Sequence, residues 1–204
     1  MAKFGAIIVA AGQSTRFGDG RKKQFEDIAG RAVFLRAMEP LLNHVDVMAV
    51  VVAVSADDID RVRTRWGNHL AFHGVKVVQG GEQRVDSVAA AFEALPEECD
   101  HIAIHDAARP MLSEELIEKL FLEATKSGAT IAAIPLCATL KQVEESEPDQ
   151  WKQRVRTITG TAPREGLWLA QTPQVFRRQI YAEALAARER IDGPVTDDAQ
   201  LVEA

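Results

Sequence analysis

The sequence predicts an α/β protein whose sheet is mostly parallel and carries helices on both faces. Three observations predict it. Short β-branched apolar runs recur along the chain, longer helical patterns separate them, and the separations suit crossover connections. FGAIIVA (4–10) and VMAVVVAV (47–54) are continuous apolar runs, the signature of strands buried on both faces. VKVVQ (75–79), HIAIH (101–105) and TIAAIPL (130–136) read as three further strands.

Helices are expected over AVFLRAMEPLL, SADDIDRVRTRW, RVDSVAAAFEAL and SEELIEKLFLEATKSG. Ser55 with Asp58 forms a capping-box pattern, Ser113 precedes two acids, and Gly128 stands where a helix terminates. One segment breaks the alternation. Residues 137–165 are long and polar, with a weak strand-like run at Val155, Thr157, Ile158 and Thr159. So long a structureless connection is unusual in a compact domain, so an extruded hairpin or arm is expected, the alternative being a surface loop. The whole of 1–204 otherwise reads as a single domain.

Charge and composition narrow the function. The 204 residues carry 24 Lys+Arg against 30 Asp+Glu, a net charge of −6, with 47% apolar content. An acidic balance argues against a general nucleic-acid or membrane-surface binder. No apolar run approaches the roughly 20 residues needed to span a bilayer. Cys99 and Cys137 have neither metal nor redox spacing, and the start of the chain lacks signal-peptide architecture, so a cytoplasmic setting is expected.

Against that acidic background, AAGQSTRFGDGRKKQF concentrates glycine and positive charge directly after the first strand. Ligands of open α/β sheets bind at the carboxyl ends of the strands, and this loop lies at one of them. Ala10, Ala11 and Gly12 allow backbone N–H groups to approach an anion. The loop is not a Walker A motif, and Ser14 breaks the dinucleotide fingerprint. Nucleotide phosphates or an ordinary basic loop both remain open from composition.

Three more stretches fall at strand ends or helix starts. GGEQRVDS (80–87) offers a glycine turn opening a helix, HDAARP (105–110) ends a strand on Asp106 with Arg109 beyond, and TDDA (196–199) opens a helix. Each alone also reads as ordinary turn or cap chemistry. His101 and His105 share a strand, where four residues span about 13 Å, too far for one ion. His69 and His73 read as a turn-like surface pair. No nucleophilic triad stands out.

Taken in order, AAGQSTRFG, RKKQF, GGEQRVDSV, HDAARP, APREGLW, AQTPQ and VTDDA resemble the 2-C-methyl-D-erythritol 4-phosphate cytidylyltransferase family from Ile7 to about Val202. The resemblance implies a Rossmann-like three-layer nucleotidyltransferase fold, CTP as donor, a polyol phosphate acceptor, Mg²⁺ and a homodimer joined through the 137–165 arm. It implies that Ala10, Ala11 and Gly12 wrap the nucleotide and that Arg16 and Lys23 contact its phosphates. Gly81, Glu82, Arg84 and Ser87 would surround cytosine and ribose. Asp106 would lie near metal, nucleotide and substrate. Arg109, Thr139, Arg164 and Thr196 would hold the acceptor, with Thr139 and Arg164 supplied by a partner's arm.

The chemistry so implied is attack of a phosphate monoester oxygen on the α-phosphorus of CTP with loss of pyrophosphate. That phosphate is largely dianionic near neutral pH, its second pKa being about 6, so no general base is required. The rivals are a ribitol 5-phosphate cytidylyltransferase and a non-catalytic nucleotide-binding protein. Two departures stand out. Lys22 occupies the place where the family carries proline, which leaves the choice between Lys22 and Lys23 open. The family also continues beyond the position of Ala204 through an Asn-x-Lys-Ile-Thr segment, so a working enzyme is expected to be longer.

Overall fold

The computed structural model describes residues 2–14, 21–144, 156–191 and 193–204. The chain forms two compact units, one of residues 1–132 with 172–204 and one of residues 133–171.

The larger unit is built on a sheet whose first four strands are β1 (Phe4–Val9), β4 (Val47–Val54), β5 (Lys76–Gln79) and β6 (His101–Asp106). β1 pairs in parallel with both β4 and β6, and β4 pairs in parallel with β5. β7 (Ala129–Pro135) and β10 (Trp168–Arg177) complete the order β5-β4-β1-β6-β10-β7. The mostly parallel sheet expected from sequence is therefore present. β10 was not expected, and it runs antiparallel to β6, with Gln174 opposite Ile104. Its sequence, WLAQTPQVFR, interrupts any alternation with Gln171, Pro173 and Gln174, so periodicity could not reveal it.

Alternation on β1 and β4 divides the core into two layers. Phe4, Ala6, Ile8, Val50, Val52 and Val54 face one cluster with α1 (Val33–Leu42), α2 (Ile59–Phe72) and α4 (Glu114–Ser127). Ile7, Val51 and Ala53 face the other, with α3 (Arg84–Ala94), α5 (Arg178–Ala186) and α6 (Asp198–Glu203). A small antiparallel pair, β2 (Asp27–Ile28) with β3 (Arg31–Ala32), leads into α1.

Helix ends follow the sequence in part. Ser113 accepts a bond from the Leu116 amide at 3.3 Å, and Gly128 closes α4 with φ of 86°. The capping box expected at Ser55 and Asp58 is not there. Those side chains bond to each other and to Lys22 instead. α2 also runs past the Trp66 at which the sequence pattern stops, placing His69 inside the helix and His73 at its cap, with ring centroids 4.8 Å apart. The turn-like reading of that pair is thus corrected: Leu70 extends the buried stripe of Val62 and Trp66 by another turn.

The smaller unit contains an antiparallel pair, β8 (Leu140–Val143) with β9 (Ile158–Ala162), the second covering part of the weak strand-like run. Val155 and residues 145–154 lie outside the described residues.

Candidate functional site

In the larger unit the carboxyl ends of β1, β5 and β6 deliver residues 10–14, 80–87 and 106–109. The chain leaves β1 for β4 on one side and returns to β6 on the other, the topological switch that opens a crevice in doubly wound sheets. The Ala10 amide bonds Ala53 at 2.8 Å, Gly80 bonds Val54 at 2.7 Å, and Ala107 bonds Val9 at 3.1 Å. These bonds extend the ladder into the loops and fix where each begins.

The first loop is clamped by a residue whose role the sequence did not disclose. Gln24, buried within RKKQF, donates from Nε2 to the carbonyls of Ala10 at 2.8 Å and Gly12 at 2.9 Å. Its Oε1 accepts from the Ser14 hydroxyl at 3.0 Å, and Ser14 Oγ accepts the Lys23 amide at 3.2 Å. With the carbonyls turned inward to Gln24, Ala11 and Gly12 are left at the surface of the loop. Arg16 lies outside the described residues.

Lys22 and Lys23 separate cleanly. Lys22 Nζ is 2.5 Å from Asp58 Oδ2 and 3.1 Å from Ser55 Oγ, in a nearly closed pocket. Lys23 is exposed. Lys22 therefore tethers this segment to the turn after β4, and Lys23 is the lysine presented to solvent.

The second loop needs its glycines. A Cβ on Gly80 would stand 2.5 Å from Ser87 Oγ and 3.2 Å from the Ala11 Cβ, and one on Gly81 would stand 2.4 Å from the Asp86 Cβ. Asp86 accepts the Gln83 amide at 3.2 Å at the start of α3. Ser87 is fully buried and donates to the Gln83 carbonyl at 3.1 Å, so it braces the loop from beneath, while Glu82 is exposed above.

Arg84 begins α3 and sits between two carboxylates. Its Nη1 bonds Asp198 Oδ2 and its Nη2 lies 3.4 Å from Asp106 Oδ1. Asp106 Oδ2 in turn accepts from Arg109 Nε at 2.9 Å. Burial works to raise the Asp106 carboxyl, but Arg84 and Arg109 outweigh it and hold it below the ordinary carboxylate range. Burial likewise works to lower Arg84, and Asp198 and Asp106 overcome it.

The turn carrying Asp106 is set by its neighbours. The Asp106 amide donates to Thr172 Oγ1 at 3.1 Å, and that oxygen is 2.9 Å from His105 Nδ1. His105 Nε2 is 3.0 Å from the Arg109 carbonyl, which only accepts, so Nε2 carries the proton and Nδ1 receives the threonine hydroxyl. Burial pushes His105 below its ordinary value, keeping this neutral form. Gln174 accepts the Asp198 and Ala199 amides, each at 3.0 Å, and donates to Asp197 Oδ2 at 2.8 Å. Asp197, rather than Thr196, caps α6 by accepting the Gln200 amide at 3.1 Å. Thr196 is exposed, and its hydroxyl donates to Gln200 Oε1 at 3.2 Å.

The smaller unit holds Thr139 and Arg164 together. They line one open groove of about 290 Å³ with Thr161 and Glu165, and Arg164 Nη1 donates to the Cys137 carbonyl.

Residues 4–204 match the family described as 2-C-methyl-D-erythritol 4-phosphate cytidylyltransferase. The chain belongs to this family. It is 34% identical over 212 residues to the 2-C-methyl-D-erythritol 4-phosphate cytidylyltransferase of Nitrosomonas eutropha, covering 100% of this chain and 84% of the relative. It is 40% identical over 201 residues to the bifunctional enzyme IspD/IspF of Nitrobacter winogradskyi, covering 97% of this chain. The chain spans about half the length of such bifunctional relatives, 47% in that case. Among solved structures, the 2-C-methyl-D-erythritol 4-phosphate cytidylyltransferase of Francisella tularensis aligns with a TM-score of 0.75 and 27% identity, over 99% of this chain and 86% of its own. The Rossmann-like cytidylyltransferase fold expected from sequence is that of this family. HDAARP, GGEQRVDS, AQTPQ and VTDDA all contribute residues around Asp106; sequence reasoning singled out the segments holding Thr172, Gln174 and Asp198 but gave those three residues no bracing role.

Proposed function

We propose that this cytidylyltransferase-family chain transfers CMP from CTP to 2-C-methyl-D-erythritol 4-phosphate, releasing pyrophosphate, in isoprenoid precursor synthesis. The observation that carries the reading is the Arg84–Asp106–Arg109 arrangement beside the glycine turn at the strand ends. It places two guanidiniums about a single ionised carboxylate where two phosphorylated ligands would meet.

Ala10, Ala11 and Gly12, shaped by Gln24, present backbone to the nucleotide. Lys23 and Arg16 are assigned to its phosphates, where fixed cations stabilise charge gathering on the equatorial oxygens. Gly81, Glu82 and Arg84 are assigned to cytosine and ribose, with Ser87 supporting them. Arg109 and Thr196 are assigned to the acceptor, joined by Thr139 and Arg164 from the arm of a second copy. The acceptor phosphate is already a nucleophile near neutral pH, so positioning suffices and His105 keeps a supporting role.

A magnesium ion held mainly by triphosphate oxygens needs only one or two protein carboxylates. Among the described residues no three His, Cys, Asp or Glu side chains converge on one point, and Asp106 is the partly exposed carboxylate of the cluster. The residues fit that arrangement, with Asp106 as the protein ligand. Bound there, the ion would neutralise charge on the triphosphate. Cys99 and Cys137 are free thiols, as suits the reducing cytoplasmic setting assigned to the chain. No described helix is long and apolar enough to cross a membrane.

The test is pyrophosphate release with CTP and Mg²⁺, using methylerythritol 4-phosphate and ribitol 5-phosphate in parallel. Release with the first acceptor alone is expected. Release with ribitol 5-phosphate alone would overturn the acceptor, and a folded protein that neither binds CTP nor releases pyrophosphate would overturn the reading.

A further inference from the structure

Arg84 is held between two carboxylates of unequal exposure. The Asp198 carboxylate that holds its Nη1 is 1% exposed, whereas Asp106, which faces its Nη2 at 3.4 Å, is 31% exposed. The closer partner is thus the buried one, and the looser partner lies toward solvent. Asp198 is itself fixed at three points. Its second oxygen accepts the hydroxyl of fully buried Tyr181 at 2.7 Å, its amide bonds Gln174, and the same glutamine oxygen holds the next amide. Tyr181 is seated by Phe176 of β10, their rings 5.4 Å apart.

An unrestrained arginine would give up rotamer freedom on meeting a ligand. One whose fork is already fixed gives up far less, which is how preorganisation raises affinity. We infer that Asp198 and Tyr181 are positioning residues for the nucleotide, a carboxylate and a phenol that set the Arg84 guanidinium from its buried side, with Nη2 directed to the partly exposed side that it shares with Asp106. This rests on the assignment of Arg84 to the nucleotide. Neither residue reaches the reacting atoms, and both act only through Arg84.

The experiment measures CTP binding by calorimetry without acceptor, together with KM for each substrate and kcat. Asp198→Asn keeps the shape but removes the charge, and it is expected to weaken CTP about tenfold or more, the scale of a lost charge-assisted bond. The acceptor KM and kcat should move much less. Tyr181→Phe, which removes one hydroxyl and retains the ring packing, should weaken CTP in the same direction by a few-fold, and it carries the test should the Asn variant not fold. The decisive arm is a double-mutant cycle: in an Arg84→Ala background, Asp198→Asn should weaken CTP no further. Wild-type CTP affinity in both Asp198→Asn and Tyr181→Phe would overturn the inference. So would full additivity in the cycle, or loss of melting temperature and kcat with both KM values unmoved, since those mark a structural tie of α6 to α3. Absence of CTP binding by the wild-type protein would instead strike the assignment on which the inference stands.

Discussion

The two units bury their apolar residues very differently. In the larger one, Phe4, Phe34, Phe121 and Phe176 are all at most 4% exposed. In the smaller one, Ile134, Val143, Ile158, Leu167, Trp168 and Leu169 are 44% to 61% exposed. The first is a core that closes on itself, with helices covering both faces of a sheet. The second, the β8–β9 pair with the adjoining ends of β7 and β10, leaves these apolar side chains uncovered, as expected of an element too small to build a core. The larger unit holds its site residues through buried bonds, whereas Thr139 and Arg164 stand exposed.

Core deletion should break that comparison most severely. Phe34 meets Phe25 and Trp66 edge-on, with centroids 5.7 Å and 5.0 Å away, so Phe34→Ala should lower unfolding free energy by about 3–5 kcal/mol in denaturant titration. A loss under about 1 kcal/mol would show that this cluster repacks freely. Next comes Lys23→Ala, expected to reduce kcat by about 10²–10³ with the fold intact. Lys22→Met should lose less activity and more stability, because Lys22 is tied to Asp58 rather than presented to solvent. Equal losses of activity in the two variants would contradict the division of labour drawn from their partners.

The parallel strands were legible because β1 and β4 are buried on both faces and so are apolar throughout. Ser113 and Gly128 were legible because cap chemistry is local. The residues that hold the site together were not, because they act across long sequence distances. Thr172 reaches Asp106 and Gln174 reaches Asp198 from β10, whose polar residues conceal a strand, and Asp198 of α6 reaches Arg84 of α3. Asp58 illustrates the same limit in reverse. Its sequence spacing from Ser55 suits a helix cap, yet a lysine distant in sequence claims both side chains. Motif order identified the family and most candidate residues; their bracing required three dimensions.

A smaller effect tests the exposed unit. If its apolar side chains meet a second copy, as the proposed homodimer requires, Trp168→Ala should weaken self-association by roughly thirtyfold, the scale of an interface hot spot. Sedimentation across a range of concentrations reads this directly, and melting at low concentration should scarcely change. A wild-type protein that stays monomeric at all concentrations would remove the homodimer.

The smallest effect lies in pH, and it separates the two titrating groups of the HDAARP turn. His105 is held neutral chiefly by burial, below its ordinary 6.5. A depressed folded value means that protons bind the unfolded chain first, so the stabilisation is present above about 6.5 and is lost as pH falls through that value toward the folded one. Asp106, lowered against its burial by Arg84 and Arg109, has its window further down. Its stabilisation is complete above the ordinary carboxylate value of 3.8 and is lost below it. Urea titrations between about pH 5 and 8 should therefore show stability falling on the acid side before the Asp106 carboxylate responds. His69 and His101 are also lowered by burial and contribute to that limb, so the contrast must be made with His105→Asn. That variant should have a shallower slope below about pH 6.5 and an unchanged one at the carboxylate end. An identical slope in variant and wild type would mean that His105 accepts its proton in the folded protein as easily as in water. The Thr172 hydroxyl would then turn its hydrogen elsewhere, and the bond holding the Asp106 turn to β10 would not depend on a neutral imidazole.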